Sequence, residues 1–165
     1  MCAAGAAAVL APCGALQADN AIPAPKGKVI LSVEGKIKRT NHGDVAQFDR
    51  DMIESLGTAS IRTSTPWYSG VSTFEGVPMA RLLGWVGAFG SAVTAVALND
   101  YSTTIPTSDF ETYHVILAIK RDGQYMPISE KGPLFIMYPF DSDAELKQQK
   151  YFSRAAWQVS RLVVQ

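Results

Sequence analysis

The chain has 165 residues, 47% hydrophobic and 18% charged, with fifteen basic residues balancing fifteen acidic ones. That length is enough for one domain with a real core, and the composition is that of a soluble globular fold. Zero net charge argues against nucleic acid as a partner, because neutralising phosphates takes a basic face. No Lys/Arg cluster exceeds Lys36-Ile37-Lys38-Arg39, which reads as a solvated strand edge.

Met1 to Ala18 carries no charge, is dominated by alanine and ends Ala15-Leu16-Gln17-Ala18 before Asp19. Residues 1–18 are therefore expected to be a signal peptide, with a small residue at the cleavage point, and export follows from it. The run is too short and too weakly apolar for a membrane span. Both cysteines, Cys2 and Cys13, lie inside it. The mature chain would then hold no thiol for a disulfide, a metal or catalysis, which suits an oxidising compartment. Residues 19–28, with Ile22-Pro23-Ala24-Pro25, read as an extended leader, and residues 29–165 as one domain.

Val29 to Gly35 is predicted as a strand ending at a turn. Asp49 to Leu56 reads as a short helix, with Asp49 or Asp51 at its acidic start and Gly57 at its stop. Ala59 to Thr65 returns as a strand, and Pro66 ends regular pairing where Trp67 emerges. The next helix starts with Pro78 in its first turn. Met79, Leu82, Leu83 and Val86 recur there at helical spacing as core, and Gly87 closes it. Val93 to Leu98 and Tyr101 to Ile105 are strands on either side of Asn99-Asp100. Val115 to Lys120 and Gln124 to Met126 flank Asp122-Gly123, a hairpin turn whose central residues tolerate positive φ. Gly132-Pro133 opens a buried strand over Leu134 to Tyr138. Ser142-Asp143-Ala144-Glu145 has capping-box spacing and predicts a helix running to Lys150, and Trp157 to Val164 alternates as a last strand. No repeat or linker divides the chain after residue 25. The sum is a single α+β domain, rich in strands.

The segment Ile61-Arg62-Thr63-Ser64-Thr65-Pro66-Trp67, followed by Phe74-Glu75-Gly76-Val77-Pro78-Met79, resembles the cofactor-anchoring part of the sulfite oxidase-type molybdopterin domain. The order continues over Val29 to Val164: a Val-Glu-Gly strand, an Asp-Tyr strand, the Arg-Asp-Gly hairpin before Pro127, Lys-Gly-Pro-Leu, and a terminal Trp. The resemblance implies the sulfite oxidase-type fold of mixed β-sheets with short helices and a cofactor cleft between loops.

Three departures accompany it. In the enzymes a cysteine about four residues before the tryptophan ligates molybdenum. Here that place falls to Thr63, or to a hydroxyl neighbour if the register slips by one, and a hydroxyl does not replace the soft thiolate. The arginine that holds the cofactor's phosphate corresponds to Phe135, and a lysine of similar role to Ala156. A buried phosphate stripped of charged partners loses several kcal/mol, although Arg154 nearby remains able to receive an anion. The resemblance therefore implies a metal-free, unphosphorylated pterin ligand and speaks against the molybdenum cofactor.

A bare pterin needs an amide or carboxylate for its N–H edge, hydroxyls, amides or cations for its acceptors, and a flat surface to stack on. Trp67 and Tyr68 offer platforms. Arg62, Thr63 and Ser64 offer polar groups on one wall, and Asn99, Asp100 and Tyr101 on the other, with Lys131 and Arg154 as cations. Each has a plainer reading: Trp67 as a core plug, Arg62 as a surface ion-pair partner, Asn99 and Asp100 as a turn, Lys131 as a solvated loop residue. Trp157 and Phe135 read as core.

No Gly-x-Ser-x-Gly, P-loop or dinucleotide fingerprint is present. His42 and His114, the two histidines, have no second ligand at metal-binding spacing. Two functions survive. One is a non-enzymatic periplasmic pterin-binding protein, similar to metal-free relatives of the fold. Those relay pterin availability to the periplasmic domain of a membrane signalling protein, such as a cyclic di-GMP enzyme. The other is a subunit of a molybdopterin-dependent oxidoreductase.

Overall fold

Ten strands pair into two five-stranded sheets in the computed structural model, which describes Met1 and residues 21–165. The expected signal peptide, Met1 apart, lies outside the described residues. The first sheet holds β1 (Leu31–Gly35), β2 (Ala46–Phe48), β5 (Ala92–Ala97), β6 (Ser102–Pro106) and β10 (Val159–Val164), in the order β2-β1-β10-β5-β6. Here β1 and β10 run parallel and the other pairs antiparallel. The second holds β3 (Ala59–Thr65), β4 (Tyr68–Pro78), β7 (Ile116–Arg121) and β8 (Gln124–Tyr125) in that order, with β9 (Phe135–Met137) also on β7. Four short helices complete the domain: α1 (Arg50–Ser55), α2 (Met79–Trp85), α3 (Ser108–Thr112) and α4 (Gln149–Arg154). The sequence-predicted α+β class is the observed one.

Period-two patterning sets the sheets on their core. In β1, Leu31 and Val33 are fully buried while Ser32 and Glu34 face outward. Strand β7 lies between β4 and the shared edge of β8 and β9, so Ile116 to Ile119 are all buried and the segment reads as one apolar run. Gly76 marks a close crossing. Strand β4 bulges against β7 between Glu75 and Gly76, and a Cβ on Gly76 would stand 2.0 Å from the Leu117 carbonyl oxygen. That crossing is the physical reason for glycine in Phe74-Glu75-Gly76-Val77-Pro78. At the β7–β8 hairpin, Asp122 and Gly123 take φ of 50° and 80°, as the sequence predicts.

One carboxylate ties the leader to the body. Asp49 caps α1 by accepting from Met52 N–H at 2.9 Å, and its other oxygen accepts from Lys26 and Gly27 N–H at 2.7 and 2.8 Å. These bonds, that from Met52 foremost, hold the Asp49 pKa below its ordinary value. Upstream, Asn41 donates to the Pro23 carbonyl and Ile22 is buried in the core. Residues 22–27 of the extended leader thus pack against the domain.

Three local expectations are corrected. Ser142 does not cap a helix: its hydroxyl donates to the Pro139 carbonyl at 2.8 Å, and Asp143 instead accepts from Glu145 N–H at 2.8 Å. Glu145 reaches Tyr151 at 2.7 Å rather than back to Ser142, so only a 3₁₀ turn forms over Ala144–Lys147. Gln148 is then extended, and α4 starts afresh at Gln149. Lys36 to Arg39 is a bend and no strand edge. Gly35, at φ 90°, ends β1, and the N–H groups of Lys38 and Arg39 both donate to the Val86 carbonyl. The last strand starts at Val159 and not at Trp157, which makes only an isolated bridge to Phe135, because Gln158 takes φ 53°. The short strand β2 and helix α3 carry no sequence signal strong enough to be predicted, and the long strand β4 is not among the predicted elements either.

Three elements are joined by one buried carboxylate. Asp109 on α3 accepts from Tyr138 Oη at 2.7 Å and from Arg154 Nη1 on α4 at 2.8 Å. Burial drives the Tyr138 hydroxyl pKa far up, so it stays a donor. Arg154→Leu is expected to cost about 3 kcal/mol in urea unfolding, because it leaves Asp109 buried beside a hydroxyl alone. Asp109→Asn in the same background should recover part of that loss.

Candidate ligand cavity

The β3–β4 hairpin sets the cavity. Thr65 pairs with Tyr68, so Pro66 and Trp67 are its two turn residues, and the register shifts between Ser64 and Thr65 just before it. Trp67 is half-buried among four rings. Its centroid lies 5.3 Å from Phe135, 5.5 Å from Trp157, 6.0 Å from Phe140 and 6.1 Å from Phe152, all tilted or edge-on.

Above this cluster a cavity of about 530 Å³ opens between the Pro66-Trp67 turn, the β5–β6 turn and α4. Trp67, Phe152 and Trp157 form its aromatic part, and Asn99, Tyr101, Gln149 and Ser153 its polar part. Its lining residues include no charged side chain. Asn99 is held by accepting from Tyr101 N–H at 3.2 Å, which leaves its amide N–H₂ toward solvent and cavity. The Tyr101 hydroxyl donates to the Ser153 carbonyl at 3.4 Å, bridging the β5–β6 turn to α4. Such a volume, with mostly apolar walls and a few fixed polar groups, suits a small flat molecule.

The predicted site residues divide three ways. Trp67, Asn99 and Tyr101 share this cavity. Lys131, in the left-handed region at φ 70°, holds its ammonium 4.5 Å from the Trp157 ring centre and so backs the aromatic wall. Asp100, at φ 64°, is an exposed turn residue.

The others lie elsewhere. Tyr68 faces the opposite way, with Arg121 stacked 3.9 Å from its ring and its hydroxyl on the Glu130 carbonyl. Arg154 is committed to Asp109 and does not line the cavity. Arg62 is exposed and borders a separate groove of about 690 Å³ along β3. Thr63 is buried, donating to the Ser64 carbonyl and accepting from Asp141 N–H, both at 3.1 Å. Ser64 gives its N–H and hydroxyl to Asp141 at 2.5 and 2.7 Å. Trp157, read as core, also lines the cavity, and the sequence reading missed Gln149, Phe152 and Ser153 along with the smaller Pro66, Ala97 and Ala155. Helix α4 brings in Gln149, Phe152 and Ser153, and its start was hidden by the false capping box.

No protein-family model and no curated protein matches the sequence. Among solved structures, the chain is similar to the sulfane dehydrogenase SoxCD from Paracoccus pantotrophus, with a TM-score of 0.59 and 16% identity. The likeness covers 81% of this chain and 37% of that one. The sulfite oxidase-type α+β fold is thus established for this chain. An identity so low carries the fold alone.

Asp141 holds the hairpin against the segment after β9. The Ser64 N–H and hydroxyl, then Lys147 at 3.1 Å, pull its pKa from 3.8 to about 2. A depressed carboxyl contributes its full stability above the unfolded value and loses it as pH falls through the folded one. Asp141→Asn should therefore destabilise the protein at pH 6, with the difference from wild type shrinking from pH about 4 downward and lost as pH falls through about 2. Urea midpoints across that range check it, and a difference at pH 2 as large as at pH 6 would contradict the assignment.

Proposed function

We propose that this protein binds an unphosphorylated, metal-free pterin in the cavity beneath Trp67, and that it acts as an exported binding protein rather than an enzyme. The observation that carries the reading is the uncharged cavity with its Trp67–Trp157–Phe152 walls and the Asn99 and Tyr101 polar groups beside them. An aromatic wall suits a flat bicycle, and the amides of Asn99 and Gln149 suit its mixed donor and acceptor edge.

The phosphorylated molybdenum cofactor does not fit these residues. Thr63 has spent its hydroxyl on main-chain partners. Phe135 and Ala156 are buried apolar groups, and Arg154 is paired with Asp109. No cluster of three His, Cys, Asp or Glu side chains suited to a metal exists among the described residues. In this reading the pterin is the signal, the compartment is the periplasm, and the partner is the periplasmic domain of a membrane sensor, such as one governing cyclic di-GMP. A second reading, an oxidoreductase subunit that holds a molybdopterin, rests on the shared fold alone.

Elemental analysis separates the two. After expression in molybdate-replete cells the purified protein should carry no molybdenum, and a stoichiometric amount would overturn the first reading.

Affinity gives the direct test. A pterin should bind more tightly by calorimetry than its phosphate ester. Asn99→Ala should weaken it about tenfold or more, a loss of roughly 1.4 kcal/mol, with a near-native melt. Trp67→Ala should lose both affinity and stability, by about 3 kcal/mol for the latter, because its ring is also packed against the core. Equal binding of the phosphate ester, or unchanged affinity in Asn99→Ala, would remove the pterin from this cavity.

A further inference from the structure

The geometry points to a second, separate binding place: the free edge of β3 takes up an extended peptide segment of a partner protein as an added strand. Main-chain parity carries the inference. Thr73 on β4 lies opposite Arg62, and both its main-chain groups bond the Asp122 side, at 2.8 Å through N–H and 2.7 Å through C=O. Thr73 therefore exchanges no main-chain bond with Arg62. In an antiparallel ladder such a residue turns its own N–H and C=O away from the partner strand.

The opposite edge agrees. Two residues on, with the same parity, the Ser64 N–H already points outward, where the Asp141 carboxylate receives it at 2.5 Å. Asp141 thus stands where a neighbouring strand's carbonyl would stand. Ser60, two residues before Arg62, shares the parity. Among the described residues neither Ser60 nor Arg62 finds a main-chain partner on that side.

The open stretch is lined as a groove and not a flat rim. It has about 690 Å³, with Ser60 and Arg62 on one side and Tyr113, Ile116 and Pro139 on the other. Unpaired edges of this kind are templates for strand addition. The alternation of β3 sends Ile61 and Thr63 into the core, so Arg62 stands on the outer face, exposed and without an ion-pair partner among the described residues. A residue placed across from it on an added strand should be Asp or Glu. A second copy of this chain is a poorer occupant, since antiparallel self-pairing about Ile61 brings two Arg62 guanidinia onto neighbouring positions of one face. The inference stands apart from the pterin cavity and does not depend on it.

Hydrogen exchange and a synthetic strand test it. In the free protein the Ser60 and Arg62 amides should exchange at least about tenfold faster than those of Ile61 and Thr63, which pair with β4. A seven-residue peptide of alternating Val and Thr with a central Glu should protect both amides and shift the NMR signals of Tyr113 and Ile116. N-methylation of the peptide nitrogens on its pairing edge should weaken binding about tenfold or more, and methylation of the alternate nitrogens should not. Arg62→Glu should switch preference from the Glu peptide to one with central Lys. Protected Ser60 and Arg62 amides in the free protein, dimerisation in sedimentation, no binding at millimolar peptide, or indifference to N-methylation would each overturn the proposal.

Discussion

Everything at the cavity depends on where the Pro66-Trp67 turn is pinned. Trp67 belongs to the second sheet, yet its ring lies against Trp157 at the entry to β10 of the first sheet and against Phe152 on α4. Aromatic pairs at these separations contribute about 0.5–1.5 kcal/mol each beyond burial. Several around one side chain make the turn a rivet between the two sheets. Asp141 supplies a second fastening on the outer side of the same hairpin through Ser64, and Thr63 a third through the Asp141 N–H. A hairpin fixed on both flanks offers rigid walls, and rigid walls spare a ligand the ordering cost of binding.

Much of the fold was legible because it rests on local chemistry. Ala59 to Thr65 is a strand to the residue, since period-two alternation meets a proline at its end. Asp49 and Asp122-Gly123 act as the cap and the turn that their residue types imply. Two of the failures come from a competing partner: the Val86 carbonyl takes the N–H groups of Lys38 and Arg39, and a second case lies at Glu145. Glu145 has the right spacing for a capping box, but a tyrosine on the next helix claims its carboxylate.

The site divides along the same line. Trp67, Asn99 and Tyr101 were legible because each sits at a turn whose position the sequence fixes locally. Arg154 was not, because its partner Asp109 is 45 residues away. Arg62 and Ser64 fell on the wrong face by a rule available from the start. In a strand with Ile61 and Thr63 buried, their neighbours turn outward. The same alternation that took Arg62 from the cavity puts it on the open edge of β3.

Phe135 holds the packing behind the cavity together. At the place where the resemblance sets a phosphate-binding arginine, this fully buried ring lies 5.3 Å from Trp67, 6.1 Å from Trp157 and 6.2 Å from Phe74. It is part of the packing that positions the cavity's own aromatic wall. An arginine there would need a buried counter-charge, and the buried carboxylate of Asp109 already serves Arg154 and Tyr138. The missing cation is therefore not a vacancy that one substitution refills. In the proposed reading, such a wall would receive a flat, uncharged molecule through shape and desolvation rather than through ionic contact.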